Sequence, residues 1–323
     1  MLGIEFVPDM PLNDLVNHCV LAENQGFDAI WITDHYNNRN VYATLALVAE
    51  RTERVRLGPG VTNAYQLHPA LTASAIATID NISNGRAMLG IGAGDRTTLA
   101  SLGIQMDKPV AKLKEAVEII RHLLAGERLS FQGDFFRIEG AKLSLKCSEI
   151  PIYIGAQGPL MLRTASAIGD GVLINASHPL DFKYAISQIQ EGSPKAGFDI
   201  AAYASFSVDL DEEKAKKAVV PVVAFIVAGS PAPVLERHDI DPTDVDVIKS
   251  AFAKGDFRMA FGSVTDPMVD AFSIYGSPDH CIQKIKELQE IGVTQVVVGS
   301  PIGPDVPASI KLIGEEIMGE ISF

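Results

Sequence analysis

The stretch DAIWITDHYNNRNVYATLALVAERTERVRL, from Asp28 to Leu57, decides the fold. It opens with a short apolar run, Asp28 to Thr33, and breaks at the polar pair Asp34 and His35. It then continues as an amphipathic segment through YATLALVAERT and returns to an apolar run at Val55 to Gly60. Strand, polar turn, helix and strand in that order make a βα unit of a parallel sheet, whose strands are apolar throughout because both faces are buried. The pattern repeats in both directions. Strand candidates stand at Leu2 to Val7, Asp28 to Thr33, Val55 to Gly60, Arg86 to Gly92, Ile152 to Gly155, Gly171 to Ile174, Tyr203 to Val208 and Val293 to Ser300. Eight such strands predict an α/β fold, a TIM (β/α)8 barrel with insertions. An open, doubly wound sheet is the weaker alternative, since no domain-sized linker interrupts the repetition.

A chain of 323 residues suits a single barrel domain over 1–323. Two segments break its period: a hairpin insertion at 125–149, turning at Gly133, and a helical lobe at 225–275, with breaks near Gly229, Pro242 and Gly262. Ser277 reads as the cap of a helix that Pro278 begins. The composition, 47% hydrophobic and 21% charged, is that of a globular protein. The 27 basic against 40 acidic residues leave a net charge of −13, which argues against nucleic acid as a partner. No stretch is long enough and free enough of charge to span a membrane. Cys19, Cys147 and Cys281 show neither metal-ligand spacing nor an even count for disulfides, and Glu5 and Asp9 lie where a signal peptide would be basic and apolar. A cytoplasmic location is the expectation.

In a βα barrel the polar residues at the carboxyl ends of the strands converge on one face. Here those ends carry Glu5 in the first strand, TDH (33–35) after the second, GPGVTN (58–63) after the third and GAGDR (92–96) after the fourth. Glu5 and Asp95 are expected to face one pocket and to manage protons. Each has a structural alternative: Glu5 pairing with an inward arginine or accepting backbone hydrogen bonds, Asp95 capping the segment that follows it. Asp34 and His35 can bind a heterocycle together, but no third ligand at compact spacing joins them, so no metal is expected. GAQGP (155–159) places glycines before a helix start and INASHP (174–179) ends the next strand with small polar residues, together suggesting a phosphate grip. Ordinary turn chemistry is the alternative for either loop alone.

The segments GIEFVP, WITDHYNNRNVY, LGPGVTNAY, NGRAMLGIGAGDR, PIYIGAQGP and NASHP, spread along essentially the whole chain, resemble the coenzyme F420-dependent methylenetetrahydromethanopterin reductases of methanogenic archaea, within the bacterial-luciferase-like barrels. The resemblance implies reversible hydride transfer from reduced coenzyme F420 to 5,10-methylenetetrahydromethanopterin, giving the 5-methyl product, with no metal and no tightly bound FMN. It implies a cis peptide between Gly60 and Val61 propping the deazaflavin. It also implies coenzyme contacts from Asp34, His35, Gly60, Val61, Thr62 and Asn63, with the phosphate near Gln157, Gly158, Ala176 and Ser177. Glu5 is then first choice as the acid, Asp95 orients the pterin or tunes Glu5, and Glu5, Asp95 and Arg96 contact substrate. Arg39 and Arg163 are further candidates for acidic tails and phosphate. A homodimer or homotetramer is the implied assembly. Two other readings stay open: an F420-dependent alcohol or sugar-phosphate dehydrogenase, and a non-catalytic deazaflavin-binding barrel.

Overall fold

The computed structural model describes residues 1–321. Its centre is a ring of parallel strands: β1 (Leu2–Phe6), β2 (Ala29–Ile32), β3 (Arg56–Pro59), β4 (Leu89–Gly92), β5 (Ile152–Gly155), β6 (Gly171–Ile174), β7 (Asp199–Val208) and β8 (Gln295–Ile302). Pairing runs from β3 through β2, β1, β8, β7, β6 and β5 to β4. The two ends of that order then meet. Leu57 bridges to Ala87, and the two-residue strand Thr62–Asn63 lies along Ile91 and Gly92, so the sheet closes rather than ending in two edges.

Closure requires two backbones to come very close. A Cβ at Gly58 would overlap the carbonyl oxygen of Met88, and one at Gly90 would overlap that of Pro59. The glycines inside these apolar runs are there for that approach. Alternation along each strand then sorts the side chains. Leu2, Ile4 and Phe6 face the surrounding helices, whereas Trp31, Met88, Tyr153, Leu173, Ala201 and Val297 fill the barrel interior. Trp31 and Tyr153 meet edge to face there with ring centroids 5.2 Å apart. With the interior packed, a ligand has room only at the mouth.

The helices that wrap the ring begin with the signals the sequence carries. Asn40 accepts hydrogen bonds from the N–H groups of Tyr42 and Ala43 at 3.1 Å, and Pro69, Pro109, Pro159, Pro179 and Pro278 each open a helix. Ser277 departs from expectation. It occupies the N-cap position of the helix Pro278–Glu290, but its hydroxyl donates to Glu212 at 2.8 Å instead of capping the helix, a charge-assisted bond being the stronger of the two.

Two additions interrupt the ring. The antiparallel strands Leu129–Gln132 and Arg137–Ala141 lie beyond the helix Pro109–Leu124. Between β7 and β8 come the helices Glu212–Gly229, Ala232–Arg237, Pro242–Ala253, Phe257–Gly262 and Asp266–Phe272, packed around Val219, Val223, Ile248 and Met268. Returning from that lobe, the short strand Ile274–Gly276 pairs with Phe206 to Val208, which lets β7 run for 10 residues. Gly90→Ala forces a methyl group against a backbone oxygen and is expected to cost about 3 kcal/mol. A urea midpoint that does not move would show that the seam yields.

Candidate active site

A cavity of about 570 Å³ opens at the carboxyl ends of the strands. Its walls come from consecutive βα turns: Asp34 and His35 after β2, Gly60, Val61 and Asn63 after β3, Asp95 after β4, Gln157 and Gly158 after β5, and Asn175 after β6. Tyr203 enters from β7. Of the other sequence candidates, Thr62 is buried behind this wall, Arg96 is exposed at the start of the helix Arg96–Ser101, and Ala176 and Ser177 follow Asn175 without lining the cavity. The Ser177 hydroxyl is buried and donates to the carbonyl of Phe272 at 3.3 Å.

Glu5 stands below the mouth, on the inward face of β1. Its register partner on β2 is Trp31, a member of the interior cluster. Its carboxylate sits over Gly299, where a Cβ would come within 2.7 Å of Oε2, and Oε2 accepts a hydrogen bond from the Ser300 N–H at 3.0 Å. Burial raises the Glu5 carboxyl to about 7, the Ser300 bond opposing that rise. Glu5 therefore holds a proton near neutrality. It does not itself line the cavity; Tyr203, whose hydroxyl feels the Glu5 charge, does.

Asp95 is placed differently. It is exposed at the rim and its Oδ1 accepts from the Thr98 N–H at 2.6 Å, so it caps the helix Arg96–Ser101 while lining the cavity. What burial it has raises its affinity for a proton, but the bonds from Thr98 outweigh this and hold it below the usual carboxylate range. Burial acts on Glu5 and hydrogen bonding on Asp95, so environment rather than mutual repulsion separates the two carboxyls. Burial raises Asp34 as well, with Thr62 and His35 opposing.

The cavity suits a flat heterocycle carrying a phosphate. Cβ atoms at Gly92 or Gly155 would approach the Val61 side chain to 3.1 Å, so these glycines make room for Val61, which floors the cavity. The Gly60–Val61 peptide is cis, and the Tyr203 hydroxyl donates to the Gly60 carbonyl at 3.1 Å. The helix Pro159–Ile168 starts at the wall with Gly158 as N-cap and no side-chain cap, leaving first-turn N–H groups free for an anion. Gln157 Nε2 donates to the Asn175 carbonyl at 3.0 Å and ties the two glycine-containing loops together. Among the described residues no group of three or more His, Cys, Asp or Glu side chains is arranged to hold a metal ion. Arg163 faces away from the cavity, bound to Gln188 and paired with Glu191 at 2.9 Å, and Arg39 donates to the Pro8 carbonyl.

The family model for luciferase-like monooxygenases matches residues 4–295. A 5,10-methylenetetrahydromethanopterin reductase of Archaeoglobus fulgidus is 56% identical across 99% of both chains, and one of Methanolobus tindarius is 54% identical across 98% of this chain and 99% of the other. The solved structure of the coenzyme F420-dependent tetrahydromethanopterin reductase of Methanopyrus kandleri superposes with a TM-score of 0.96 at 43% identity, covering 99% of each chain. The chain belongs to the luciferase-like family, in its methylenetetrahydromethanopterin reductase branch.

Within this luciferase-like barrel, sequence reading missed several wall residues. Tyr203 lies inside an apolar run that reads only as a strand, and Asn175 opens the NASHP loop without standing out from it. Gln66, Thr98 and Met161 line the cavity too, and nothing in local sequence marks them, whereas Thr33 does so as the first residue of the TDH turn. The one available signal was parity: Tyr203 and Ala201 alternate with Ala202 and Ala204, which places Tyr203 inside the ring. Gly60→Ala would bring a methyl group to 2.7 Å from the Tyr203 hydroxyl and 2.9 Å from Trp31 Cβ. It is expected to cost about 2 kcal/mol, part of which Tyr203→Phe restores. Additive losses in the double variant, measured by urea denaturation, would show that the hydroxyl is not the obstacle.

Proposed function

We propose that this chain catalyses the reversible reduction of 5,10-methylenetetrahydromethanopterin to the 5-methyl derivative, with reduced coenzyme F420 as hydride donor. The observation that carries the reading is the full-length likeness, at 56% identity, to a reductase of that name. When bound, the deazaflavin supplies the hydride. The residues supply position and protons. Opening the methylene-bridged ring needs a proton on its arylamine nitrogen, which leaves an iminium carbon ready for hydride. Glu5, which keeps its proton up to about 7 beneath the cavity wall, is the source of that proton, and Tyr203, the wall residue that feels its charge, is the group through which it reaches the substrate. Asp95, ionised at the rim, orients the pterin and offsets the positive charge of the opened ring, with Arg96 beside it for the substrate's acidic tail.

Coenzyme binding falls to Asp34, His35 and Asn63 around the ring and to Gly60 and Val61 beneath it, with Thr62 supporting this wall from behind. Gln157 and Gly158 take the phosphate end, and Ala176 and Ser177 hold the adjoining loop in place from behind the wall. The chemistry requires neither a metal nor tightly bound FMN. A homodimer or homotetramer is the assembly that the likeness to the reductases suggests. Among the described residues no helix is long and apolar enough to cross a membrane, and a cytoplasmic setting for methanogenic one-carbon metabolism completes the proposal.

The direct test is anaerobic stopped-flow absorbance after mixing the protein with reduced F420 and methylenetetrahydromethanopterin. Protein-dependent coenzyme oxidation with stoichiometric methyl product is expected. Coenzyme binding without oxidation, under conditions where a known reductase turns over, refutes the assignment. Glu5→Gln should keep coenzyme binding and lower turnover roughly 10²-fold or more. In the wild type, turnover should fall as pH rises through about 7, where Glu5 loses its proton. Unchanged turnover in the variant sinks the acid role.

The same carboxyl has a stability signature. The folded chain holds this proton up to about 7, while an unfolded chain releases it near the ordinary 4.5. Its contribution is therefore full below that lower value and drains as pH rises through the higher one, by on the order of 3 kcal/mol. Glu5→Gln should flatten this part of the pH–stability curve, which urea midpoints at several pH values would show.

A further inference from the structure

The helical lobe meets the barrel beside the Asn175 to His178 loop, and the contact is built of buried charge. Asp181, in the first turn of the helix Pro179–Glu191, receives Arg237 Nη1 on one carboxylate oxygen and bonds His238 Nε2 at 2.8 Å on the other. Only 8% of the Asp181 side chain and 3% of the His238 side chain reach solvent. Arg237 ends the lobe helix Ala232–Arg237, His238 follows it, and the guanidinium lies 4.3 Å over the ring of Tyr184.

From this triad a chain of contacts leads to the cavity. The His238 ring meets His178 edge-on at 4.9 Å and Phe272 at 5.3 Å. Ser177 donates to the Phe272 carbonyl, and Gln157 donates to the Asn175 carbonyl two residues earlier. Gln157 and Asn175 both line the cavity.

The lobe has its own apolar core. Buried ion pairs gain little net stability over apolar contacts of the same shape, since desolvation offsets most of their attraction. What a carboxylate held from two directions does supply is a single geometry. We propose that Asp181, Arg237 and His238 are positioning residues for the coenzyme, latching the lobe to the loop at 175–178 and so fixing the wall that takes its phosphate. The inference rests on the reading of that loop given under Proposed function.

Asp181→Asn keeps the shape and removes the charge that both partners need. In the full-length protein, the Kd of oxidised F420 by fluorescence titration, and the KM for the reduced coenzyme, should rise roughly tenfold or more. The kcat at saturating coenzyme should stay near the wild-type value, a split that general loosening of the fold would not give. His238→Gln, which retains an N–H donor, should restore most of the affinity that His238→Leu loses. This second pair carries the test if Asp181→Asn fails to fold. Wild-type affinity in Asp181→Asn, a fall in kcat at unchanged KM, or equal behaviour of the Gln and Leu variants overturns the latch. A wild-type protein that binds no F420 overturns the site reading itself, and the latch with it.

Discussion

The close approach of the third and fourth strand segments governs the rest of the molecule. A parallel ring closes only where its last two members pair, and here Gly58 and Gly90 let the backbones near Met88 and Pro59 come together. The chain cannot remain straight through that seam. It pairs with β2 as far as Pro59, steps across at Gly60 and Val61, and pairs with Ile91 and Gly92 from Thr62 onward. The step leaves Val61 turned over the glycines at 92 and 155, which is how the floor of the cavity arises from the act of closing the barrel. Tyr203 then fastens the step from the far side of the ring by its bond to the Gly60 carbonyl.

The ring also explains how two carboxyls in one chain take opposite states. A side chain on the inner face of a strand is surrounded by Trp31, Tyr203 and neighbouring backbone, and a charge there loses its water. Glu5 receives the Ser300 N–H, which offsets part of that loss but not all of it. A side chain on a βα turn is wet and close to helix N–H groups, and Asp95 is ionised there. The carboxyl that keeps its proton is thus set by depth in the barrel and the ionised one by the turn above it, a separation that does not require the two groups to touch.

Much of the fold was legible because the determining signals are local. Apolar runs bounded by glycine and proline place all eight ring strands within a few residues of where they lie. Legibility failed where partners are far apart in sequence. The length of β7 depends on Ile274 to Gly276 returning from the lobe, and the Ser277 hydroxyl chose Glu212, 65 residues away, over its own helix. The polar turns could be nominated from sequence, since Asp34, His35, Asn63, Asp95 and Gln157 do reach one cavity. The inward aim of Tyr203 follows from parity only once the ring is known to close, and the depth of Glu5 depends on the missing side chain at Gly299, far away in sequence.

The two classes of element divide the work of recognition. Side chains on strands, Glu5 and Tyr203, are held by neighbouring strands on both sides and have little freedom to adapt. Side chains on the turns have only what later insertions give them, and the loop after β6 is braced by Phe272 and, through His178, by His238. A barrel that keeps its seam and its inner acid while exchanging the lobe would retain proton chemistry with altered grip on its ligands. The placement of the lobe between β7 and β8, far in sequence from the buried carboxyl in β1 yet against the loop after β6, fits that separation: the interior is secured by closure and the rim by what is added to it.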